Sequence, residues 1–340
     1  MLFAVCTFVA AREDTVMELL RVTFAVSGVT TWVFFPPVVA FLVSTLTSLG
    51  GVSGAFLLLP FQVSVLQFTS PSVSATNFVY NIVAIPSGVY RYIREGRMAW
   101  PLTWVLILGT LPGVLLGYYL RVLYLPDPRA FKMFVGCVLL YIGSRLFYEM
   151  GPWAKKGKEA TKLLEARFRE QAKKLRDGHT CLLSAGLPTE AVVKTVEWSL
   201  RKVVYEFWGQ RFSFSAPGMF FLALVVGIVG GTYGIGGGAI IAPFCVGVFG
   251  LPVYTVAGAT LMATFLTSVT GVVLYSVLPA AQGIATSPDW PLGFLFGLGG
   301  FAGTYCGARL QKYVPQSAIK CVLSLLILFL AGTYILQFFR

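Results

Sequence analysis

"YGIGGGAIIAP", Tyr233–Pro243, sets Gly234, Gly236, Gly237 and Gly238 inside one of the most apolar parts of the chain. Glycine costs a helix about 1 kcal/mol relative to alanine. Four of them in six residues predict a break in a helix where a membrane span is otherwise expected. Working outward from the break, no Asp, Glu, Lys, Arg or His occurs between Arg211 and Asp289, or between Arg21 and Arg91. Of the 340 residues, 56% are hydrophobic and 12% charged, about half the charge of a soluble domain. Apolar runs of this length, without alternation, exclude a soluble enzyme and a transmembrane β-barrel and predict an all-α polytopic membrane protein.

The break occurs twice. Residues 51–92 align with 234–275 without a gap, with ten of 42 positions identical. Gly51, Gly54, Pro60, Phe61, Gly88 and Tyr92 meet Gly234, Gly237, Pro243, Phe244, Gly271 and Tyr275. After a slip of seven residues, Trp100-Pro101-Leu102 meets Trp290-Pro291-Leu292, and Gly109, Gly113 and Gly117 meet Gly299, Gly303 and Gly307. Two transmembrane repeats follow, 33–150 and 214–340, joined by a basic segment at 151–213 and preceded by an arm at 1–32. Each repeat opens with two apolar stretches of roughly 14 residues, too short to cross the ~30 Å hydrocarbon core. They are 36–49 and 54–67, then 217–231 and 237–250, and they read as a re-entrant helical hairpin. Three full spans complete each repeat: 72–92, 100–121 and 131–149, then 255–277, 291–310 and 320–339.

A hairpin plus three crossings inverts the second repeat relative to the first. Charge agrees with this. The loop after the first full span carries Arg91, Arg94 and Arg97, whereas its counterpart carries only Asp289. The positive-inside rule puts the former in the cytoplasm and the latter outside. The linker, with 13 Lys/Arg and 7 Asp/Glu from Lys155 to Arg211, then falls inside. Lipid attraction accounts for its charge without nucleic acid. Its stretch at 158–178 is helical by propensity, either on the membrane surface or as a cytosolic cap. The loop 121–132, placed outside, carries Arg121, Arg129 and Lys132 against Asp127 and is equivocal. The arm reads either as an interfacial helix or as a further span.

A helix start presents unbonded N–H groups and about half a positive charge. Two inverted hairpins would aim two such starts, near Gly54 and Gly237, at one mid-membrane centre, an anion site without a cation side chain. The candidate residues there are Gly51, Ser53, Gly54, Gln62, Gly234, Gly236, Gly237 and Gly238. Ser74, Asn77 and Asn81 share one face of the next span with Ser70, and Thr260, Thr264 and Thr267 form the matching face in the second repeat. Hydroxyls and amides can donate to an oxyanion, and they can equally bond helix to helix. Tight turns alone would also explain the glycines. The Gly109/113/117 and Gly299/303/307 ladders read as close helix packing. The scattered cysteines read as small apolar fillers and His179 as a loop residue. Apart from Glu149 at the very end of 131–149, no acid lies in any hairpin or span, which disfavours cation transport. No nucleotide-binding loop, catalytic set, metal-ligand spacing or cofactor motif appears.

"GGVSGAFLLLP" (50–60) and "YGIGGGAIIAP" (233–243), each opening one half of a duplicated membrane protein, resemble the TauE/SafE family of sulfite and organosulfonate exporters. The second copy is the closer, since Ser53 and Ala55 replace glycines in the first. The resemblance implies export of a small anionic substrate, sulfite, sulfoacetate or a related sulfonate, across the cell membrane, with no cofactor and no enzymatic activity. An anion-selective channel, and a non-transporting subunit that recruits a cytosolic partner through its linker, are the alternatives. A homodimer is compatible with the sequence.

Overall fold

The computed structural model describes residues 20–49, 53–94, 96, 98–150, 192–207, 209–278, 284–310 and 316–339. Gly51, the linker up to residue 191, His179 and the arm up to residue 19 lie outside them.

Helix dominates. In the first half, α1 (Phe35–Leu49) and α2 (Ala55–Ser64) flank the first glycine stretch. They are followed by α3 (Ser72–Ala84), α4 (Pro86–Arg94), α5 (Trp100–Tyr119) with a π turn at Leu120–Tyr124, and α6 (Pro128–Met150). The second half runs α7 (Ala216–Tyr233), α8 (Gly238–Gly247), α9 (Val253–Val277), α10 (Trp290–Leu310) and α11 (Gln316–Phe339). Among the described residues, five helices are long and apolar enough to cross a membrane: Trp100–Tyr124, Pro128–Tyr148, Ala216–Tyr233, Thr255–Val277 and Cys321–Phe339. Four of them are expected full spans. The fifth, α7, was expected as a stretch of about 14 residues but extends to 18, about 27 Å. The expected span 72–92 is interrupted at Ile85, where Pro86 supplies no N–H to continue the ladder. The returning arms α2 and α8 have ten residues each, about 15 Å, half the hydrocarbon core.

The most extensive contacts pair α5 with α7 and α10 with α1, each across the two halves. They are one contact made twice. A Cβ on Gly109, Gly113 or Gly117 would fall on the carbonyl oxygens of Phe220, Leu224 and Ile228. A Cβ on Gly299, Gly303 or Gly307 would fall on those of Pro37, Phe41 and Thr45, the aligned positions of the other half. The glycine ladders therefore let one backbone lie directly on another. Threonines stitch both seams, Thr232 Oγ1 to Gly117 O (3.1 Å) and Thr45 Oγ1 to Gly303 O (3.2 Å). The next most extensive cross-half pairs are α6 with α11, α3 with α10, α5 with α9, and α3 with α9.

Two sheets depart from the all-α expectation. In the arm, β1 (Arg21–Thr23) pairs antiparallel with β2 (Thr30–Trp32), around a turn with Gly28 at φ +68. Residues 20–33 are thus neither an interfacial helix nor a span. The 151–213 linker was expected to be helical on its stretch at 158–178, which lies outside the described residues. In its described part, β3 (Lys194–Trp198), β4 (Lys202–Phe207) and β5 (Gln210–Ser215) form an antiparallel sheet. The reason is the alternation in "KVVYEF" and "QRFSFS", a period of two rich in β-branched and aromatic residues.

Loop contacts fall into two sets. In one, Asp289 Oδ2 accepts from Ser27 N and Oγ (2.9 and 2.8 Å), Ser72 N donates to Ala285 O (3.1 Å), and Tyr118 donates to Leu278 O (3.1 Å). In the other, Val193 N donates to Gly96 O (3.0 Å), and Tyr205 shares a 2.9 Å hydrogen bond with Thr255. Burial holds the Tyr205 phenol well above its ordinary pKa, so it stays neutral and anchors the sheet on α9 at any physiological pH.

The ladder geometry predicts that Gly113→Leu and Gly303→Leu each destabilise the folded protein by at least about 1–3 kcal/mol through overpacking. Gly332→Ala, which meets nothing within 4 Å, is expected to be neutral. Thermal denaturation of the purified protein in detergent measures all three, and equal melting temperatures would refute the backbone-on-backbone seam.

Candidate functional site

The second glycine turn owes its shape to backbone conformation and to close approach. Gly234 ends α7 at φ +87 with its N–H on Gly230 O (2.8 Å), and Gly236 follows at φ +71. Side chains rarely adopt either conformation. A Cβ on Gly234 would also lie 2.7 Å from Ser74 Cα, and one on Gly238 would fall on Thr260 O and Thr264 Oγ1. The turn is wedged between α3 and α9. Gly237 then opens α8 with no side-chain cap. In the first half, Gly54 opens α2, likewise with no hydrogen bond from its own side-chain position. Ser53 Oγ there accepts only from Ala55 N, at 3.4 Å.

The two tips meet at Asn77. Its Nδ2 donates to Ala55 O in the first turn of α2 and to Gly234 O in the second glycine turn, both at 3.0 Å. One amide nitrogen therefore ties the two hairpins together. Around it, Gln62 Nε2 donates to Asn77 Oδ1 (3.4 Å), Asn81 Nδ2 to Ile235 O (3.2 Å), and Ser74 Oγ to Thr232 O (3.0 Å). From the other side, Tyr233 donates to Phe56 O at 2.7 Å. Gln62, Ser74, Asn77 and Asn81 are fully buried. Gln62 Oε1 and Asn81 Oδ1 have no partner.

The structure thus gathers Gln62, Ser74, Asn77, Asn81 and Gly234 into one hydrogen-bonded junction. Thr260, Thr264 and Thr267 line the opposite side of the turn, and Thr264 Cγ2 lies 2.7 Å from where a Cβ on Gly236 would stand. Their hydroxyls bond back to their own helix, at Val256 O (3.0 Å), Thr260 O (2.8 Å) and Ala263 O (2.7 Å). A hydroxyl is a rotor and can exchange such a bond for another acceptor. Gly54 and Ser53 belong to the first tip, where a Cβ on Gly54 would lie 2.8 Å from Ser44 Oγ and would fall on Tyr80 OH.

Sequence reasoning missed several supports. Ser44 and Tyr80 share a 2.8 Å hydrogen bond beside Gly54. The Tyr80 ring occupies the space over Gly300, whose aligned partner in the first half is Thr110. The alignment of a tyrosine with Ala263 and of Gly300 with a threonine was the available signal. The carbonyls of the matched prolines are also held in both halves: Tyr334 donates to Pro60 O (3.0 Å), and Arg145 Nη2 to Pro243 O (3.3 Å). Among the described residues, no three His, Cys, Asp or Glu side chains converge as a metal site.

A model of the Sulfite exporter TauE/SafE family matches residues 37–334. No curated protein and no solved structure matches the chain.

Asn77→Leu would strand the buried carbonyls of Ala55 and Gly234, at a cost of about 1–3 kcal/mol each. Its expected effect is a large drop in melting temperature. Thr260→Val removes only a bond within its own helix and is expected to leave melting nearly unchanged. Equal stability of the two variants in a thermal scan would remove Asn77 as the tie between the tips.

Proposed function

We propose that this chain, which belongs to the Sulfite exporter TauE/SafE family, carries small sulfur-containing anions out of the cytoplasm by alternating access of two inverted repeats. The family is one of membrane transporters, so the chain is a multi-pass helical transporter of the sulfite and organosulfonate type and not an enzyme. The finer reading rests on one observation above all: the starts of α2 and α8, of which only the first has a side-chain bond, the long one from Ala55 N–H to Ser53 Oγ at 3.4 Å, lie at hairpin tips joined through Asn77. Free N–H groups and two helix-dipole ends converge there on a protein-enclosed centre, which suits an oxyanion. The hydroxyls of Thr260, Thr264 and Thr267 and the amides of Gln62, Asn77 and Asn81 supply adjustable polar contacts beside them.

Three further observations favour inverted repeats. Each glycine seam recurs at aligned positions of the other half. The arms α2 and α8, with ten residues each, are too short to cross, as the returning arm of a hairpin must be. The two sets of loop contacts match the two faces such a path produces. The face holding Gly96 and the β3–β5 sheet adjoins Arg94 and the basic linker, and we assign it to the cytoplasm of a cell membrane. The opposite face, with the β1–β2 hairpin and Asp289, is external. An inside-negative potential then drives an anion outward by about 2.3 kcal/mol per charge per 100 mV, without a coupling carboxylate.

Reconstitution in liposomes tests this. Liposomes loaded with sulfite or sulfoacetate are expected to release it faster when an inside-negative potential is imposed, and external substrate is expected to drive saturable counterflow. No movement of any sulfur anion would refute export, and conduction without counterflow would refute alternating access.

A further inference from the structure

Arg121 is the one charged side chain among the described residues that is fully buried and arginine. It sits in the π turn Leu120–Tyr124 at the end of α5. Its Nη1 donates to Leu125 O and its Nη2 to Thr69 O at 3.0 Å. The Phe131 ring centroid lies 3.7 Å from Cζ. Its Nε is buried and has no partner. No carboxylate among the described residues pairs with it.

This arrangement is costly as a purely structural device. An arginine near a helix end can satisfy terminal carbonyls, and two of its bonds do so. Carbonyl dipoles do not cancel a full charge, however, and taking a guanidinium out of water costs several kcal/mol. Arginine does not escape by losing its proton. A buried cation with a spare N–H donor and no counter-charge is half of an ion pair.

Its position joins it to the tip junction. Tyr118, one turn earlier on α5, packs edge-to-face on Tyr275 at 4.9 Å between centroids. Tyr275 donates to Gly231 O at 3.1 Å, just before the second glycine turn. A column of contacts therefore runs from the second turn through Tyr275 and Tyr118 to the end of α5 that carries Arg121. It ends in the loop set that includes Thr69, Leu125 and Leu278, the face assigned to the outside.

We propose that Arg121 is the cationic half of an anion subsite on the external side of the tip junction, where a small oxyanion or sulfonate leaving the centre binds before release. This rests on the export reading for the direction of passage, not for binding itself. The oxyanion supplies the missing charge and accepts from the free Nε–H, a geometry to which the guanidinium fork is suited. The Phe131 face covers the guanidinium, and its full burial keeps that attraction strong.

The test compares wild type, Arg121→Gln and Arg121→Lys by thermal stabilisation with sulfite, thiosulfate, sulfoacetate and sulfate. At least one anion is expected to stabilise wild type. In Arg121→Gln the half-saturating concentration is expected to rise about ten- to a hundredfold, the value of one hydrogen bond to a charged group. Arg121→Lys, which keeps the charge, is expected to retain part of the affinity. A structural role alone would lower the melting temperature of Arg121→Gln and leave its anion response intact, and that result overturns the proposal. So does a wild type that no anion stabilises. Should the variants not fold, hydrogen exchange on wild type decides: the bound anion is expected to protect residues 118–131, and no protection there refutes the subsite. A wild type that binds an anion through Arg121 yet moves no sulfur anion across liposomes would end the export reading and leave the subsite standing. Unchanged half-saturation of transport in Arg121→Gln would do the reverse.

Discussion

Backbone that stops being helical inside a bilayer loses its own hydrogen-bond partners and finds none in lipid. Every feature around the glycine turns answers that constraint. Asn77 and Asn81 take up the carbonyls of Ala55, Gly234 and Ile235. Tyr233 takes up that of Phe56, and Tyr275 that of Gly231. Where a proline deprives a short arm of regular bonding, Tyr334 and Arg145 reach its carbonyl from the last helix of a repeat. The carbonyls are thus well served by side chains, whereas the N–H groups that open α2 and α8 receive, among the described residues, only the 3.4 Å bond from Ala55 N–H to Ser53 Oγ. The proposed preference of the centre for negative charge rests on that imbalance.

The two halves share a plan and differ in filling. At the first tip, Tyr80 and Ser44 close around Gly54. At the second, the smaller Thr110 and the threonines of α9 surround Gly237 and Gly238. The polar amides all come from the first half, on α2 and α3, and those of Asn77 and Asn81 bond across to the turn of the second. The second turn is thus held by the amides of Asn77 and Asn81 on one side and lined by the threonines of α9 on the other.

Much of this was legible in the sequence because it depends on absences that composition records directly. Missing charge marked the spans, missing Cβ atoms marked the seams and the turns, and the repeat offset located both. The polar face at Ser74, Asn77 and Asn81 was visible from helical spacing. Its partners were not, since a donor on one helix face does not reveal which distant carbonyl it meets. The sheet at 194–215 was hidden behind the strong helical propensity of the preceding residues, although "KVVYEF" alternates plainly. Arg121 reads from the sequence as an equivocal topology charge, because burial is a property of what surrounds a residue, and Thr69 and Phe131, which meet its guanidinium, are not its neighbours in the chain.

The paired seams bear on ancestry. Each half carries a glycine ladder on its second long span and, on its first helix, the row of carbonyls that fits such a ladder. Two copies of one half-length chain could therefore have clasped each other through the same surface used twice, forming a dimer before any fusion. Once a single gene encoded both copies, the linker could lengthen and each tip could specialise, while neither ladder could change without its mate losing a fit.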